Sequence, residues 1–241
     1  MKILITNDDG IQAECLRPLA QWASQLGEVT VVAPKVEQSG KSHGIEIHKA
    51  FEVKKVDFGP GIRAYSLDST PADCIRFAVL GLKEKYDLVL SGINRGLNIG
   101  TDIMYSGTVG AIFEAAALGI PGIALSTTPK YYPHALQNLD EVLAFFRTHD
   151  LMEKCSIYNV NIPAEHKGIR ITCQGGPYYS DDFLAQENDM FLPMGKDVFQ
   201  KADTMERDTD AVLVGHYISI MPLTNNRANM DVYHDLRALN P

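Results

Sequence analysis

A chain of 241 residues, 45% hydrophobic and 22% charged, is long enough to bury a sizeable α/β core and too ordinary in composition for a fibre or a disordered segment. Its formal net charge of −8, with no run of Lys and Arg, excludes binding to a nucleic-acid polymer as its main role, so an anionic small substrate needs a metal ion or a local basic pocket. Four cysteines, Cys15, Cys74, Cys155 and Cys173, lack any Cys-x-x-Cys spacing and read as small buried hydrophobes. Too few apolar residues precede Asn7 for a signal-peptide core, and the most apolar stretch, Ala115–Leu125, is broken by Gly119, Pro121 and Gly122. The expectation is a cytoplasmic protein with no membrane segment.

In chain order, Lys2–Thr6 is a strand candidate that stops at Asn7-Asp8-Asp9-Gly10. A helix is predicted over Ile11–Leu26, kinked or delayed by Pro18, and a strand over Glu28–Ala33. Ile45, Ile47, Phe51, Val53 and Val56, then Ile62, Ala64 and Tyr65 around Gly59-Pro60-Gly61, predict a β excursion from the core. Helix Ala72–Leu82, strand Asp87–Ser91, helix Thr108–Leu118, strand Gly122–Ser126 and helix Pro133–His149 continue the alternation. Alternating βα units predict an α/β fold, a Rossmann-like, mostly parallel sheet flanked by helices. Residues 1–150 form the predicted catalytic core, and residues 151–241 complete it and add a C-terminal oligomerisation extension. There, Ser156–Ile162, Ile169–Cys173 and Ala211–Pro222 are strand-like, while Gln174–Asp210 is long, polar and irregular, as binding loops and oligomerisation arms are.

Ligands of open α/β sheets gather beyond the carboxyl ends of the parallel strands, where hard cations take carboxylate oxygens, water and substrate phosphate. Asp8 and Asp9 lie at such an end; the alternative is that one of them caps the following helix. Ser39, beyond the second strand, and Asn94, beyond the third, offer neutral oxygens that complete a Mg²⁺ or Mn²⁺ shell, or else satisfy local turns. Tyr105-Ser106-Gly107-Thr108 opens a helix and suits a phosphate, with an ordinary N-cap as the competing reading. Lys41 and Arg95 are the cations nearest a bound anion, His43 is a possible acid–base group, and Asp102 either organises the Asn94 loop or caps a turn. No Walker loop, dinucleotide fingerprint or Gly-x-Ser-x-Gly elbow is present, and adjacent aspartates do not match the Asp-x-Asp spacing of aspartyl-phosphate phosphatases.

Thr6-Asn-Asp-Asp-Gly10, Val32-Ala-Pro34 with Ser39-Gly40, Thr70-Pro-Ala-Asp-Cys74, Ser91-Gly-Ile-Asn94 with Gly96, Asn98 and Gly100, Tyr105-Ser-Gly-Thr-Val109, Asn159-Val-Asn161-Ile-Pro163, Thr209-Asp210 and Tyr217–Leu223 follow one another along nearly the whole chain. In this it resembles the SurE (survival protein E) family of metal-dependent 5′/3′-nucleotidases. Ala115 after Glu114 and Met221 before Pro222 depart from the family pattern. The resemblance implies that Asp8, Asp9, Ser39 and Asn94 hold one divalent metal ion per subunit, Mg²⁺ or Mn²⁺, with Asp8 and Asp9 catalytic. It implies nucleoside monophosphates as substrate, with Asn94, Arg95, Asn98, Ser106, Gly107 and Thr108 as phosphate and substrate contacts, in a homodimer or homotetramer built by C-terminal arms. A non-catalytic nucleotide- and metal-binding regulator on the same sheet is the alternative from another functional class.

Overall fold

Every residue of the opening run after Lys2 is buried, and a strand apolar on both faces needs cover on both. The computed structural model describes residues 1–202 and 204–239, and supplies that cover. In order the elements are β1 (Lys2–Thr6), α1 (Leu16–Ala23), β2 (Glu28–Pro34), β3 (Val53–Asp57), β4 (Arg63–Leu67), α2 (Pro71–Arg76) with a π-helical turn Phe77–Gly81, β5 (Leu88–Arg95), a 3-10 turn Gly100–Tyr105, α3 (Gly107–Ala117) and β6 (Gly122–Thr127). There follow α4 (Tyr132–Gln137), α5 (Leu139–Thr148), α6 (Leu151–Lys154), β7 (Ile157–Ile162), β8 (Ile169–Ile171), β9 (Tyr179–Ala185), β10 (Phe191–Asp197), α7 (Asp208–Leu213), β11 (Ile218–Leu223) and α8 (Met230–Leu236).

Nine strands form one sheet in the order β3-β4-β2-β1-β5-β6-β7-β11-β8, parallel except where β3 meets β4 and β11 meets β7. The chain runs outward from β1 to β2 and β4, then returns to the other side of β1 as β5, so the topological switch lies between β1 and β5. On one face Ile3, Ile5 and Val160 pack under α1, α4 and α5 through Leu19, Ala135 and Phe146. On the other, Leu4, Val32 and Ala124 pack under α2 and α3 through Ile75, Val109 and Ile112. Among the described residues no helix is long and apolar enough to cross a membrane.

Several expectations are corrected. The helix drawn from Ile11 begins only at Leu16: residues 11–15 form turns, the Ile11 N–H bonds the Pro34 carbonyl (2.7 Å), and Cys15 is the N-cap. Pro18 then falls in the first turn, where its missing N–H had no intrahelical partner to lose. The β segment is no excursion: β4 pairs parallel with β2, so β4 and β3 extend the main sheet, while Ile45 and Ile47 stand exposed outside any strand. The helix over Pro133–His149 breaks at Asn138, and Ala211–Pro222 begins as the end of α7, turning into β11 only at Ile218. Cys15 and Cys74 are buried as expected, but Cys155 is half-buried and Cys173 exposed.

The late residues reach back into the first half. Asp208, fully buried, accepts hydrogen bonds from the N–H groups of Gly100 (2.9 Å), Gly175 (2.7 Å) and Thr209 (2.8 Å), tying α7 to the loop after β5. Asp208→Ala orphans buried donors and is expected to cost about 2–4 kcal/mol in urea denaturation, with Asp208→Asn, which keeps an acceptor oxygen, costing less. Equal loss in both variants would refute this account.

Candidate active site

Two loops meet at the switch point: the one after β1, carrying Asp8 and Asp9, and the end of β5, carrying Asn94 and Arg95. Asp8 is 4% exposed, and its carboxylate sits on the N-terminus of α3. One oxygen accepts from the Thr108 hydroxyl (2.6 Å) and the other from the Thr108 backbone N–H (3.1 Å). The orphan donors and positive dipole end of α3, which would suit a phosphate, here hold a side chain of the protein itself. A Cβ at Gly107 would fall 3.0 Å from the Cβ of Asp8, so a larger residue there would push helix and carboxylate apart by a few tenths of an ångström. Ser106 caps the same helix, its hydroxyl oxygen accepting from Val109 N–H (3.1 Å), which realises the N-cap reading.

Asp9 turns the other way. Its Oδ2 accepts the Arg95 N–H (2.9 Å), and Oδ1 lies 3.9 Å from the Arg95 Nε. That guanidinium is shared with Glu37 (3.2 Å), and Glu37 also takes the Ser39 hydroxyl (2.7 Å). The loop bearing exposed Ser39 is fastened by the Gln38 N–H on the Asp8 carbonyl (2.7 Å). Asn94 donates its Nδ2 to the Gly96 carbonyl (2.9 Å), leaving Oδ1 free of any hydrogen bond among the described residues. Asp8, Asp9, Ser39, Asn94, Arg95, Gly107 and Thr108 are thus one cluster. Asp9 and Glu37 share the single Arg95 guanidinium, Asp8 is the chain neighbour of Asp9, and the neutral oxygens of Ser39 and Asn94 belong to the same loops. This donor set fits a hard divalent cation. Among the described residues no three His, Cys, Asp or Glu side chains gather as a ligand group, so any shell here is two carboxylates completed by neutral oxygens.

Other expected residues are placed elsewhere. Asn98 is buried and committed to structure: its Nδ2 donates to the Ser126 hydroxyl (2.8 Å), and its carbonyl accepts from the amides of Asn159 (2.7 Å) and Asn161 (2.8 Å). His43 is held by Glu114, Nε2 to Oε2 2.7 Å, and Arg76 binds the other Glu114 oxygen (3.0 Å). These bonds hold the Glu114 carboxyl below its ordinary range despite burial, His43 contributing most. The latch fastens the Ser39–His43 loop over α3, where Gly110 is needed because a Cβ would meet the Ser42 carbonyl at 2.3 Å. Lys41, within this loop, is exposed and lines an open cavity rather than the carboxylate cluster. Asp102 accepts from Tyr178 N–H (3.3 Å) and Tyr179 N–H (2.9 Å), holding the base of the β9–β10 hairpin instead of the Asn94 loop. Glu37, Glu114 and Arg76 are the residues the sequence did not reveal. They lie on an exposed loop and on helical faces where charge is unremarkable.

Behind Asp9 lie Cys15 and Tyr132. Burial, with Asp9 close by, pushes the Cys15 thiol up to about 12, and it donates to the Ile93 carbonyl (2.8 Å). Tyr132 is likewise raised by burial and Asp9, so neither brings a charge to the site. Desolvation also raises both carboxyls, against the hydrogen bonds of Thr108 on Asp8 and of the Arg95 N–H on Asp9; Asp9 moves from 3.8 to about 6. A carboxyl whose folded pKa exceeds its unfolded value makes the folded state hold the proton more tightly, so this site subtracts stability as pH rises from about 4 to about 6. In EDTA the urea midpoint of the wild type should therefore fall across that window relative to Asp9→Asn. Parallel profiles of the two proteins would contradict the assignment.

A sequence profile of the family described as "Survival protein SurE" matches residues 3–181. A protein of Thermoanaerobacter sp. (strain X514) named 5′-nucleotidase SurE is 40% identical over 240 residues, spanning 92% of each chain. Another of that name, from Alkaliphilus metalliredigens, is 39% identical over 255 residues, covering 100% of this chain and 99% of its own. The crystal structure of the SurE protein from Aquifex aeolicus has a TM-score of 0.82 and 31% identity, covering 99% of both chains. With a family profile spanning most of its length, and relatives of this similarity aligned nearly end to end, the chain belongs to the SurE family.

Proposed function

We propose that this chain is a divalent-metal-dependent phosphomonoesterase that hydrolyses nucleoside 5′-monophosphates, and 3′-monophosphates as well, to nucleoside and phosphate. The observation that carries the reading is the under-neutralised, desolvated pair Asp8 and Asp9 at the switch point of the sheet. The Thermoanaerobacter and Alkaliphilus relatives are named 5′-nucleotidases, which supports the choice of substrate. Asp8, Asp9, Ser39 and Asn94 would hold one Mg²⁺ or Mn²⁺ per subunit. When bound, the ion supplies Lewis-acid polarisation of a phosphoryl oxygen and neutralises charge.

The residues divide the remaining work. Thr108 fixes Asp8 in one orientation. Asp9 Oδ1, the oxygen without a backbone donor, orients a water molecule in line with the ester bond and takes its proton as the new P–O bond forms; the bond to the nucleoside oxygen breaks as that oxygen takes a proton from solvent, which gives nucleoside and phosphate. The Arg95 guanidinium and the Ser106 hydroxyl, whose proton is still free to donate, would face the phosphate oxygens, while the Gly107 N–H belongs to the helix start that already holds Asp8. Phosphate release from a panel of nucleoside monophosphates in Mg²⁺, Mn²⁺ or EDTA tests this. Turnover should need metal and fall about a hundredfold or more in Asp8→Asn and in Asp9→Asn, both checked for native circular dichroism. Nucleotide binding by the wild type without turnover in any metal would instead make the chain a regulatory binding protein.

The β9–β10 hairpin supports a homodimer or homotetramer. Every one of its strand residues is exposed; Phe183, Ala185, Phe191 and Pro193 share one face, and Leu184, Leu192 and Met194 the other. A two-stranded ribbon apolar on both faces is marginal alone in water and needs a partner surface. The double variant Phe183→Ser/Phe191→Ser should lower the mass seen by light scattering to that of a single chain. An unchanged mass would remove the hairpin from the interface.

A further inference from the structure

The span from Gln38 to His43 is stretched between two anchors. At its start the Gln38 N–H bonds the Asp8 carbonyl (2.7 Å). At its far end the Ser42 N–H bonds the Tyr105 carbonyl (3.0 Å), the Ser42 hydroxyl bonds the Met104 carbonyl (2.6 Å), and the Gly44 carbonyl accepts from the Thr70 hydroxyl (2.7 Å). Between the anchors Ser39, Gly40 and Lys41 are exposed, and the Lys41 N–H reaches the Gln38 carbonyl at 3.3 Å. The backbone there enters the left-handed region twice, at Gly40 (φ 71°) and at Ser42 (φ 54°). Glycine adopts that conformation freely; Ser42 has a Cβ and keeps it only under constraint.

The fastening that differs in kind is the bond of His43 Nε2 to Glu114 Oε2 (2.7 Å). Its acceptor is a carboxylate only 6% exposed, held from the other side by Arg76 of α2 (3.0 Å), whereas the other acceptors are neutral carbonyls. Bonds to an ionised acceptor are the stronger kind, and an ionised carboxylate only accepts, so Nε2 carries a hydrogen and spends it here. Four residues back along the loop, Ser39 has given its own hydroxyl proton to Glu37 (2.7 Å). The lone pairs of the Ser39 oxygen are thereby left to a cation, provided that the loop holds that oxygen in place.

We propose that the His43–Glu114 pair is a positioning device for the metal site, closing the far end of this loop and so setting where Ser39 presents its oxygen to a divalent cation. The inference rests on the metal reading of the carboxylate cluster and goes beyond it by adding two residues outside the ligand set. It gives His43 a role in the site through Glu114 and the loop, in place of acid–base chemistry.

The test is Mn²⁺ binding to the full chain without substrate, read from the electron paramagnetic resonance signal of the free ion, beside the rate at which trypsin cuts after Lys41, followed by mass spectrometry. His43→Leu should raise the Kd for Mn²⁺ about tenfold and speed the cut, while His43→Gln, whose amide can still donate to Glu114, stays near the wild type. Because the ion and the pair hold the same loop, saturating Mn²⁺ should also slow the cut in the wild type. In a chain that already carries Ser39→Ala, His43→Leu should weaken Mn²⁺ binding no further. With native circular dichroism in every variant, an unchanged Kd in His43→Leu, an additive loss in the double variant, or His43→Gln as weak as His43→Leu overturns the proposal. Should His43→Leu lose its native spectrum, the protection of Lys41 by Mn²⁺ in the wild type decides alone, and its absence sinks the pair. A wild type that binds no Mn²⁺ sinks the metal reading and this proposal with it, whereas a wild type that binds the ion no better than His43→Leu sinks this proposal only.

Discussion

The hydrogen bonds between Thr108 and the buried carboxylate of Asp8 join two segments a hundred residues apart, and the geometry of the whole site follows from them. Taking a carboxylate out of water is costly unless donors wait for it, and the start of a helix is where backbone donors wait. Spending them on Asp8 fixes the helix against β1, fixes Asp8 against rotation, and turns the adjacent Asp9 toward the Arg95 N–H. A site assembled this way has its charge built in before any ligand arrives. Burial partly suppresses its acidity, raising the pKa of both carboxyls.

A second constraint runs along the same edge of the sheet. Toward the edge of the sheet where β1, β5, β6 and β7 end and antiparallel β11 begins, the residues facing α3 change from apolar to polar: Thr6, Ser91, Ser126, Asn159, Asn161 and Ser219 are all buried there. Asn98 collects several of them, and Ser219 shares a hydrogen bond with Thr172 (2.7 Å). Thr6 Oγ1, Ser91 Oγ and Asn159 Oδ1 have no partner among the described residues. So polar an interior places the loops with hydrogen bonds of fixed direction, where an apolar layer would let them slide.

Much of the core was legible because short apolar runs bounded by Gly, Pro and Asp leave little choice; β1 has the bounds that its apolar pattern predicted, and β2 and β6 end one residue later. What failed were the places where a distant partner outbids local preference. Ile11 reads as helix, yet it lies in a turn tied to the Pro34 carbonyl, and Val53–Asp57 reads as a detached ribbon until β2 offers β4 an edge. Ala211–Leu213 has the composition of a strand, yet α7 forms where buried Asp208 finds its donors. In the candidate site the carboxylates and loop oxygens were legible as residue types at strand ends. The donors that hold Asp8 and the latch on His43 were not, since a hydrogen bond across seventy or a hundred residues leaves no local trace.

The sheet is also a record of the order in which the chain leaves the ribosome. β11 lies between β7 and β8 and is the last strand among the described residues, so before its emergence β7 has one open side and β8 has no neighbour in the sheet. Until then the seat of Asp208 stays empty and Gly100 lacks its acceptor, which leaves the loop after β5 unanchored. The frame of the site thus forms only after Asp208 has been made, and a nascent chain halted within the β9–β10 hairpin would hold the carboxylates without that frame.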